Sequence, residues 1–268
     1  MAIEILSDKP GIERHLRADA GRHLYELGDL DDFFWPRTKW YGLSKGGALA
    51  ALALVYSGNG LPVLLALDRP ESSAELLSGL SGRLPGEFYC HLAPGLEGAL
   101  QPGFELAPHG RHLKMLLADP DRLLAADAAG AVRLEPGDLE EVLDFYTRSY
   151  PGNWFDPRML ETGRYFGIRE GGGLASVAGV HVFSERYRVA ALGNIATDPS
   201  QRGRGLGRRV TAALCRDLTS SVGTIGLNVK ADNAAAIACY QGLGFAPHAE
   251  YGEWTARRAS GVRPIHNG

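Results

Sequence analysis

The feature that constrains this chain most is a glycine-rich loop in its second half. The loop runs from Arg202 to Gly207 with glycines at 203, 205 and 207, and it follows an apolar stretch, 189–195, that predicts a strand. Apolar residues at helical spacing from Leu206 to Leu218 predict a helix directly after it. Outward-facing N–H groups, the helix dipole and the close approach that glycine allows all favour an anion at such a turn. The sequence therefore predicts a phosphate-bearing ligand here.

The spacing of these glycines excludes two common phosphate loops. No Lys-Ser or Lys-Thr follows them, as a Walker loop requires, and Gly203-x-Gly205-x-Gly207 is not the Gly-x-Gly-x-x-Gly of a dinucleotide loop. Four arginines lie in or beside the loop and add charge of the right sign for a phosphate: Arg202, Arg204, Arg208 and Arg209. A different class of phosphate ligand is indicated.

The loop resembles the Arg-x-x-Gly-x-Gly/Ala signature of the GNAT superfamily of acyl-CoA-dependent N-acyltransferases. The matching residues are Arg202, Gly205 and Gly207. The downstream half of the family pattern is also present, as Leu227-Asn-Val229, Asn233, Ala236, Tyr240 and Gly244-Phe245. The resemblance covers roughly 131–258, about half of the chain. It implies an enzyme, an N-acetyltransferase that moves the acyl group of acetyl-CoA, or of another acyl-CoA, directly to an amine without a covalent enzyme intermediate.

The length of 268 residues and the order of predicted elements indicate two domains. Both halves are predicted to contain a helix, then antiparallel strands, then alternating strands and helices. We therefore predict an α/β (α+β) protein of two tandem GNAT-like domains, 1–127 and 128–268, each a mixed, mostly antiparallel twisted sheet flanked by helices. In the first half, the predicted elements include a helix over 11–27, an aromatic helix-loop segment at 33–41 and a hairpin formed by 48–56 and 62–67.

The first half has no counterpart of the glycine loop. After its central strand the chain carries Asp68, Glu71 and Glu75, where a pyrophosphate would lie in the second half. Carboxylates at a helix N-terminus fill the anion site and repel a phosphate. We therefore predict a degenerate first domain, similar to that of glycine N-acyltransferase-like and other tandem members, and one acyl-CoA site per chain.

Composition and charge limit the partners and the compartment. Residues 1–127 hold 12 Lys/Arg and 17 Asp/Glu, and residues 128–268 hold 16 and 14, so neither half is basic enough to predict nucleic-acid binding. No apolar run reaches membrane-spanning length and no signal peptide is recognised. Three cysteines without metal-ligand spacing predict no metal site and a reducing, cytoplasmic location. A homodimer is compatible with the sequence.

The resemblance assigns the cofactor site residue by residue. Backbone groups of Ile195, Ala196 and Thr197 would pair with the pantetheine arm, and Asn233 would contact the cofactor at the next helix. The pyrophosphate would lie on the glycine loop, formed by Arg202, Gly203, Arg204, Gly205, Leu206 and Gly207. Tyr240 stands at the family position near the thioester sulfur and is expected to bind the cofactor and to act as general acid; the alternative is a tyrosine packed between helix and sheet.

The acceptor site and the base are less defined. The resemblance places the acceptor wall at Tyr150, Trp154 and Phe155, although packing in the core explains these aromatic residues equally well. Asn194 precedes the cofactor-pairing strand where some relatives carry a carboxylate; because an amide is not a base, we expect deprotonation of the amine through water. His181, Glu185 and Glu253 are other candidates for the base, each also explained as a structural or solvated residue.

Two alternatives to the enzyme remain open at this point. The chain could be a non-catalytic acyl-CoA sensor or regulatory protein, which the missing base would permit. It could also be an interaction protein in which both copies have lost their chemistry, although the intact glycine loop argues against this. For the enzyme, a small-molecule amine or an amino-acid-like compound is the expected acceptor.

Overall fold

The computed structural model describes residues 2–58 and 60–260, and these form two compact units. Unit 1 comprises the described parts of Met1–Leu113, Lys230–Asp232 and Ala249–Gly268, and unit 2 comprises Lys114–Val229 and Asn233–His248. Residues 249–260 therefore belong to the first unit. The predicted division into 1–127 and 128–268 assigns this last segment to the second domain, and it stays a prediction.

Unit 1 is a sheet with helices. Its elements in chain order are β1 (Ala2–Leu6), α1 (Lys9–Leu16), α2 (Leu24–Asp29), β2 (Thr38–Lys45), β3 (Ala48–Tyr56), β4 (Val63–Ala66), α3 (Pro70–Leu80), β5 (Glu87–Leu92), α4 (Glu97–Leu100) and most of β6 (Phe104–Leu117). Strands β1 to β4 pair as an antiparallel series, and β4 pairs in parallel with β5. Strand β12 (Phe245–Arg258) also joins this sheet, because its segment Gly252–Arg257 pairs antiparallel with β5.

Unit 2 repeats this arrangement. Its elements are the end of β6, α5 (Pro120–Ala125), β7 (Ala131–Leu134), α6 (Leu139–Ser149), a 3-10 helix (Pro157–Thr162), β8 (Tyr165–Glu170), β9 (Gly173–Ser184), β10 (Val189–Thr197), α7 (Leu206–Thr219), most of β11 (Thr224–Lys230), α8 (Ala234–Gly242) and the start of β12. Strands β7 to β10 are antiparallel neighbours, and β10 pairs in parallel with β11. The predicted fold class is confirmed, and both units follow the same strand order.

Each unit is held together by an amphipathic helix packed on its sheet. In unit 2, the buried face of α7 includes Val210, Leu214 and Leu218, which lie at the spacing of successive helical turns. In unit 1, the buried side chains of α3 include Leu76, Leu77 and Leu80, which belong to that unit's apolar core. Burying one such leucine contributes roughly 1.5–3 kcal/mol. Among the residues that the structure describes, no helix is long and apolar enough to cross a membrane.

Two predicted elements of the first half are wrong. The helix predicted over 11–27 is interrupted: α1 ends at Leu16, and α2 begins only at Leu24. Between them, the Asp19 carboxylate accepts the backbone N–H of Arg22 at 3.1 Å, a local bond that competes with the helical ladder. The aromatic segment is not all helix and loop, since Trp40 and Tyr41 lie on β2, where the sheet buries both. The predicted hairpin is confirmed by the antiparallel pairing of β3 with β4.

Candidate functional site

The central feature of unit 2 is an opening between two strands that begin as neighbours. The parallel ladder between β10 and β11 runs from the pair Val189–Thr224 to the pair Leu192–Leu227. Strand β10 continues to Thr197 and β11 continues to Lys230. Backbone N–H and C=O groups on the facing edges beyond the last pair are therefore available to a third extended chain, in the manner of an added strand.

Two β-bulges shape the opening, one on β9 at His181 and one on β10 after Gly193. Along β10, the step from Gly193 to Ala196 faces only the step from Gly179 to Val177 on β9, so β10 carries an extra residue there. Asn194 lies in this bulge with a left-handed φ of 52°, a conformation that asparagine tolerates better than most residues.

Buried tyrosines hold the bulge in place. The Tyr146 hydroxyl donates to the backbone oxygen of Asn194 at 2.6 Å. The amide nitrogen of Asn194 donates to the Tyr165 hydroxyl at 3.1 Å, and that hydroxyl donates to the backbone oxygen of Val180 at 3.0 Å. Burial raises the pKa of both tyrosines, so both remain neutral hydrogen-bond donors. The side chain of Asn194 is thus a buried structural contact, and its predicted role with the acceptor stays a prediction.

The glycine loop forms the turn that the sequence predicts. Gly203 and Gly205 have φ values of 78° and 75°, and a Cβ added to either would meet no atom within 4 Å. Gly205 is the N-cap of α7, and the first backbone bond of that helix runs from Arg209 N–H to the oxygen of Gly205 at 3.0 Å. The amides of Leu206, Gly207 and Arg208 precede this ladder, as at the start of any helix. Open space, helix-start amides and a helix dipole together fit a pyrophosphate.

The arginines around the loop are less available than the sequence suggests. Arg204 forms an ion pair with Glu170, and the Arg209 Nε lies 3.2 Å from Asp127 Oδ2. Arg208 donates to the backbone oxygen of Gly242 at 3.1 Å, at the end of α8. Arg202 donates to the backbone oxygen of Thr197 at 3.4 Å. Arg204 and Arg209 are thus partly neutralised by carboxylates, whereas Arg202 and Arg208 bond to neutral carbonyl groups and keep their positive charge beside the loop.

Helix α8 places Asn233 and Tyr240. The side-chain oxygen of Asn233 caps the helix by accepting the Ala236 N–H at 3.1 Å. The Tyr240 ring packs edge-on against Phe245 with the ring centres 6.1 Å apart, and burial, with Cys239 and Tyr150 nearby, raises the pKa of its hydroxyl. All of α8 lies in the described part of the chain; none of its residues is fully buried, but Ile237, Cys239 and Tyr240 are half-buried, whereas Ala234 and Ala235 are exposed. The exposed side chains in the first turn of α8 are small alanines, so a ligand can approach the start of this helix closely.

The predicted acceptor wall is a surface loop. Tyr150 and Trp154 are 45% and 44% exposed, whereas Phe155 packs between Tyr146 and Tyr165 with ring centres 5.1 and 5.6 Å away. The Asn153 amide shapes the loop by donating to the Tyr150 oxygen at 2.7 Å and accepting the Phe155 N–H at 2.8 Å. The structure therefore leaves two of the three aromatic side chains able to contact an acceptor.

Of the three candidate bases, only His181 lies beside the opening. Glu185 pairs with Arg164 at 3.2 Å. Glu253 belongs to unit 1, where its carboxylate accepts the hydroxyls of Tyr89 and Tyr251. On β9 the pairs Ala191–Val182 and Leu192–Val180 leave His181 as an extra residue, and a Cβ at Gly193 would lie 1.9 Å from the His181 Cδ2. The histidine ring therefore lies over Gly193, a placement that no sequence motif signals.

Unit 1 differs at the matching position. Helix α3 begins with Pro70, which has no N–H to offer a phosphate, and no glycine loop precedes it. Asp68 accepts from His15 at 2.8 Å, from His23 at 3.2 Å and from the Leu52 N–H at 2.7 Å. The Glu75 carboxylate pairs with Lys45 at 2.7 Å. Two of the three predicted carboxylates are thus paired, and Pro70 removes one N–H that a phosphate would otherwise accept. In the described residues, no group of three or more His, Cys, Asp or Glu is arranged to hold a metal ion.

Comparison with known proteins identifies the second half. A sequence model described as the acetyltransferase (GNAT) family matches residues 134–245. The ribosomal protein bS18-alanine N-acetyltransferase of Escherichia coli is 35% identical over 117 residues, which are 42% of this chain and 77% of that protein. The mycothiol acetyltransferase of Mycobacterium ulcerans is 34% identical over 149 residues, 48% of this chain and 44% of that protein. This chain thus aligns with under half the length of the mycothiol enzyme.

The fold of the whole chain also has relatives among solved structures. A tandem GNAT protein from the clavulanic acid biosynthesis pathway aligns with 97% of this chain and 99% of its own length, with a TM-score of 0.60 and 16% sequence identity. At this identity the likeness concerns the fold alone. It extends the tandem arrangement to the first half, which the family's sequence model does not match.

Proposed function

Because this chain belongs to the GNAT acetyltransferase family, we propose that it transfers the acetyl group of acetyl-CoA directly to a primary amine. The observation that carries the proposal is the opening between β10 and β11, which leads into the glycine loop at the start of α7. The extended pantetheine arm of acetyl-CoA fits between the edges of the two strands, and its pyrophosphate fits the glycine loop.

The cofactor is assigned to unit 2 alone. Backbone groups of Ile195 and Thr197 on β10 would pair with the pantetheine arm, together with the backbone N–H of Ala196, whose oxygen accepts the Ser176 hydroxyl at 3.0 Å. The loop from Arg202 to Gly207 would hold the pyrophosphate. The unburied face of α8, with Asn233 at its start, would be covered by the remainder of the cofactor.

The proposed reaction is a single displacement. The neutral amine attacks the thioester carbon, and an oxyanion forms that a backbone N–H of the opening stabilises. The C–S bond then breaks, and the sulfur takes a proton from the Tyr240 hydroxyl, which regains it from solvent. The amine nitrogen loses its proton through water, with His181 the titratable side chain beside the opening. The raised pKa of Tyr240 keeps this donor protonated at neutral pH.

A covalent acyl-cysteine is not part of this proposal. Burial raises the pKa of both thiols near the site, Cys215 and Cys239, and Arg208 offsets this only in part for Cys239. A thiol with a raised pKa is a poor nucleophile at neutral pH. The free thiols of all three cysteines also support the cytoplasmic location predicted above.

We propose a small amine with an apolar portion as the acceptor. The exposed Tyr150 and Trp154 rings offer an apolar contact at the predicted acceptor wall. The relatives are named for mycothiol and for an alanine of ribosomal protein bS18, so both small molecules and amino-acid-like amines belong in the first screen. A non-catalytic acyl-CoA sensor is the second candidate, and the absence of a carboxylate at Asn194 is what favours it.

The first experiment is a calorimetric titration with acetyl-CoA, followed by a thiol-release assay with three amines: phenethylamine, alaninamide and spermidine. We expect one acetyl-CoA per chain and release of CoA that depends on the amine. Binding of acetyl-CoA without release of CoA in the presence of any of the three amines would favour the sensor. Absence of binding would contradict both candidates.

A further inference from the structure

One polar side chain beside the opening is left without a partner. Asn228 is the first residue of β11 after the last ladder pair, Leu192–Leu227. Its side-chain oxygen is buried and accepts no hydrogen bond from any residue that the structure describes. A buried amide oxygen without a donor is unfavourable, and such atoms in native proteins usually have a partner. A ligand that donates an N–H would supply the missing one.

Unit 2 buries other polar side-chain atoms that have no hydrogen bond to a described residue, including the Ser149 Oγ at the end of α6. The Nε atoms of Arg164 and Arg216 also lack partners, but their guanidinium groups bond through other nitrogens, to Asp217 and to the Leu124 oxygen respectively. The side chain of Asn228 has no such second bond within the described residues. Its position directly after the last ladder pair, at the opening, distinguishes it from Ser149.

Asn228 shares a face of the sheet with the His181 ring. Successive residues of a strand point to opposite faces, and paired positions of parallel neighbours point to the same face. Gly193 and Asn228 each follow the pair Leu192–Leu227 by one residue, so they share a face. A Cβ at Gly193 would lie within 2.4 Å of three His181 ring atoms, so that ring covers Gly193 on this same face.

We infer that the Asn228 Oδ1 accepts a hydrogen bond from the acceptor's amine nitrogen, and so positions that nitrogen for attack and selects for it. This inference rests on the proposed function. A primary amine has two N–H groups in its neutral form, so one donates to Asn228 while the lone pair faces the thioester carbon. An alcohol has only one O–H, which it must lose in the reaction, so the site favours amines over alcohols.

Because the Asn228 amide is uncharged, it affects how kcat/KM depends on pH. A carboxylate at this position would attract the ammonium form and accept its proton, whereas an amide oxygen does neither as strongly. The wild-type kcat/KM is therefore expected to rise with pH toward the pKa of the free amine. In Asn228→Asp, the rise in kcat/KM is expected at a lower pH, because the new carboxylate binds the ammonium form of the amine and accepts its proton.

The test compares three proteins with the best of phenethylamine, alaninamide and spermidine. Asn228→Leu keeps the shape and removes the acceptor atom; we expect KM for the amine to rise at least about tenfold, with an unchanged Kd for acetyl-CoA. Asn228→Asp keeps the shape and adds charge; we expect the pH profile to shift to lower pH. A purely structural asparagine would change stability without moving the pH profile.

The outcomes separate this inference from the proposed function. If the wild type releases CoA in the presence of an amine and both variants keep its KM and pH profile, the role of Asn228 is contradicted. The proposed acetyltransferase function is then unaffected. Absence of release by the wild type with all three amines contradicts both. Loss of acetyl-CoA binding in Asn228→Leu also contradicts the inference, because it would place the amide at the cofactor instead.

Discussion

Leu192 of β10 and Leu227 of β11 form the last pair of a parallel ladder whose strands both continue beyond it. The bulge at Asn194 turns β10 at this point, and Tyr146 and Tyr165 hold it in that position. The separation of β10 from β11 thus follows from the bulge and from the packing of unit 2, and it does not depend on a ligand. A preformed opening reduces the ordering that binding requires.

The glycine loop gives the first prediction. Gly205 has a left-handed φ of 75° and open space where a side chain would project. Asn and Asp both tolerate this conformation and have nearly the same shape, so Gly205→Asp and Gly205→Asn differ mainly in charge. We expect the aspartate to weaken acetyl-CoA binding at least about 100-fold relative to the asparagine variant, since a carboxylate beside a pyrophosphate is repelled by several kcal/mol.

Calorimetry on the two variants, with circular dichroism as the folding control, checks this prediction. Equal affinities would show that the pyrophosphate lies elsewhere. A large loss in both variants would instead point to the space taken up by the side chain. Only the difference between the variants reports on the charge.

Tyr240 gives the second prediction. Tyr240→Phe removes the hydroxyl and keeps the ring contact with Phe245, so we expect the Kd for acetyl-CoA to stay the same. Turnover is expected to fall about 100-fold, at the lower end of what a positioned general acid contributes. Since burial raises the pKa of this tyrosine above 10, the wild-type rate should show no loss from its ionisation below about pH 10.

Steady-state rates over this pH range, measured in both proteins, decide the point. Wild-type turnover in Tyr240→Phe would remove the hydroxyl from the mechanism. A loss of turnover accompanied by weaker cofactor binding would assign it to the cofactor instead of the sulfur.

Much of the fold follows from local sequence patterns. Strands β3 and β4 lie within the predicted bounds, 48–56 and 62–67, and α7 begins at the predicted Leu206, because each is an apolar or periodic stretch next to turn residues. Strand β2 was not predicted, since Trp40 and Tyr41 are adjacent aromatic residues without alternation, and only pairing with β1 and β3 makes them a strand. The place of Gly252–Arg257 in unit 1 is a long-range pairing that no local pattern encodes.

The site shows the same division. The glycine loop could be located from the sequence because glycine spacing is a local property, whereas the role of Tyr240 is assigned from the family resemblance and stays a prediction. The bulge that brings the His181 ring over Gly193, and the strand divergence that leaves Asn228 without a partner, depend on the register between strands. Register is set by the whole sheet, so these residues carry no signal of their own.

Unit 1 gives the third prediction, a stoichiometry of one acetyl-CoA per chain. Its helix α3 starts at Pro70 and lacks the N–H that glycine or leucine offers at the start of α7. Gly205→Asp should therefore weaken the single binding event seen by calorimetry at least about 100-fold and reveal no second, unaffected one. A second site, whether in the wild type or surviving in Gly205→Asp, would contradict the degeneracy of the first unit.

The buried histidine of unit 1 gives the last prediction, on stability and pH. Burial lowers the pKa of His23, but hydrogen bonds to Asp68 and Glu26 outweigh it and raise that pKa from 6.5 to about 9. A raised folded-state pKa stabilises the fold fully below the unfolded value of 6.5, and this contribution is lost as the pH rises to about 9. The free energy of unfolding should therefore fall by at most about 3 kcal/mol across this window. Thermal unfolding at about pH 6 and about pH 9.5 tests it, with His23→Gln as the control that should show a smaller fall. An equal fall in both proteins would assign the pH dependence to other groups.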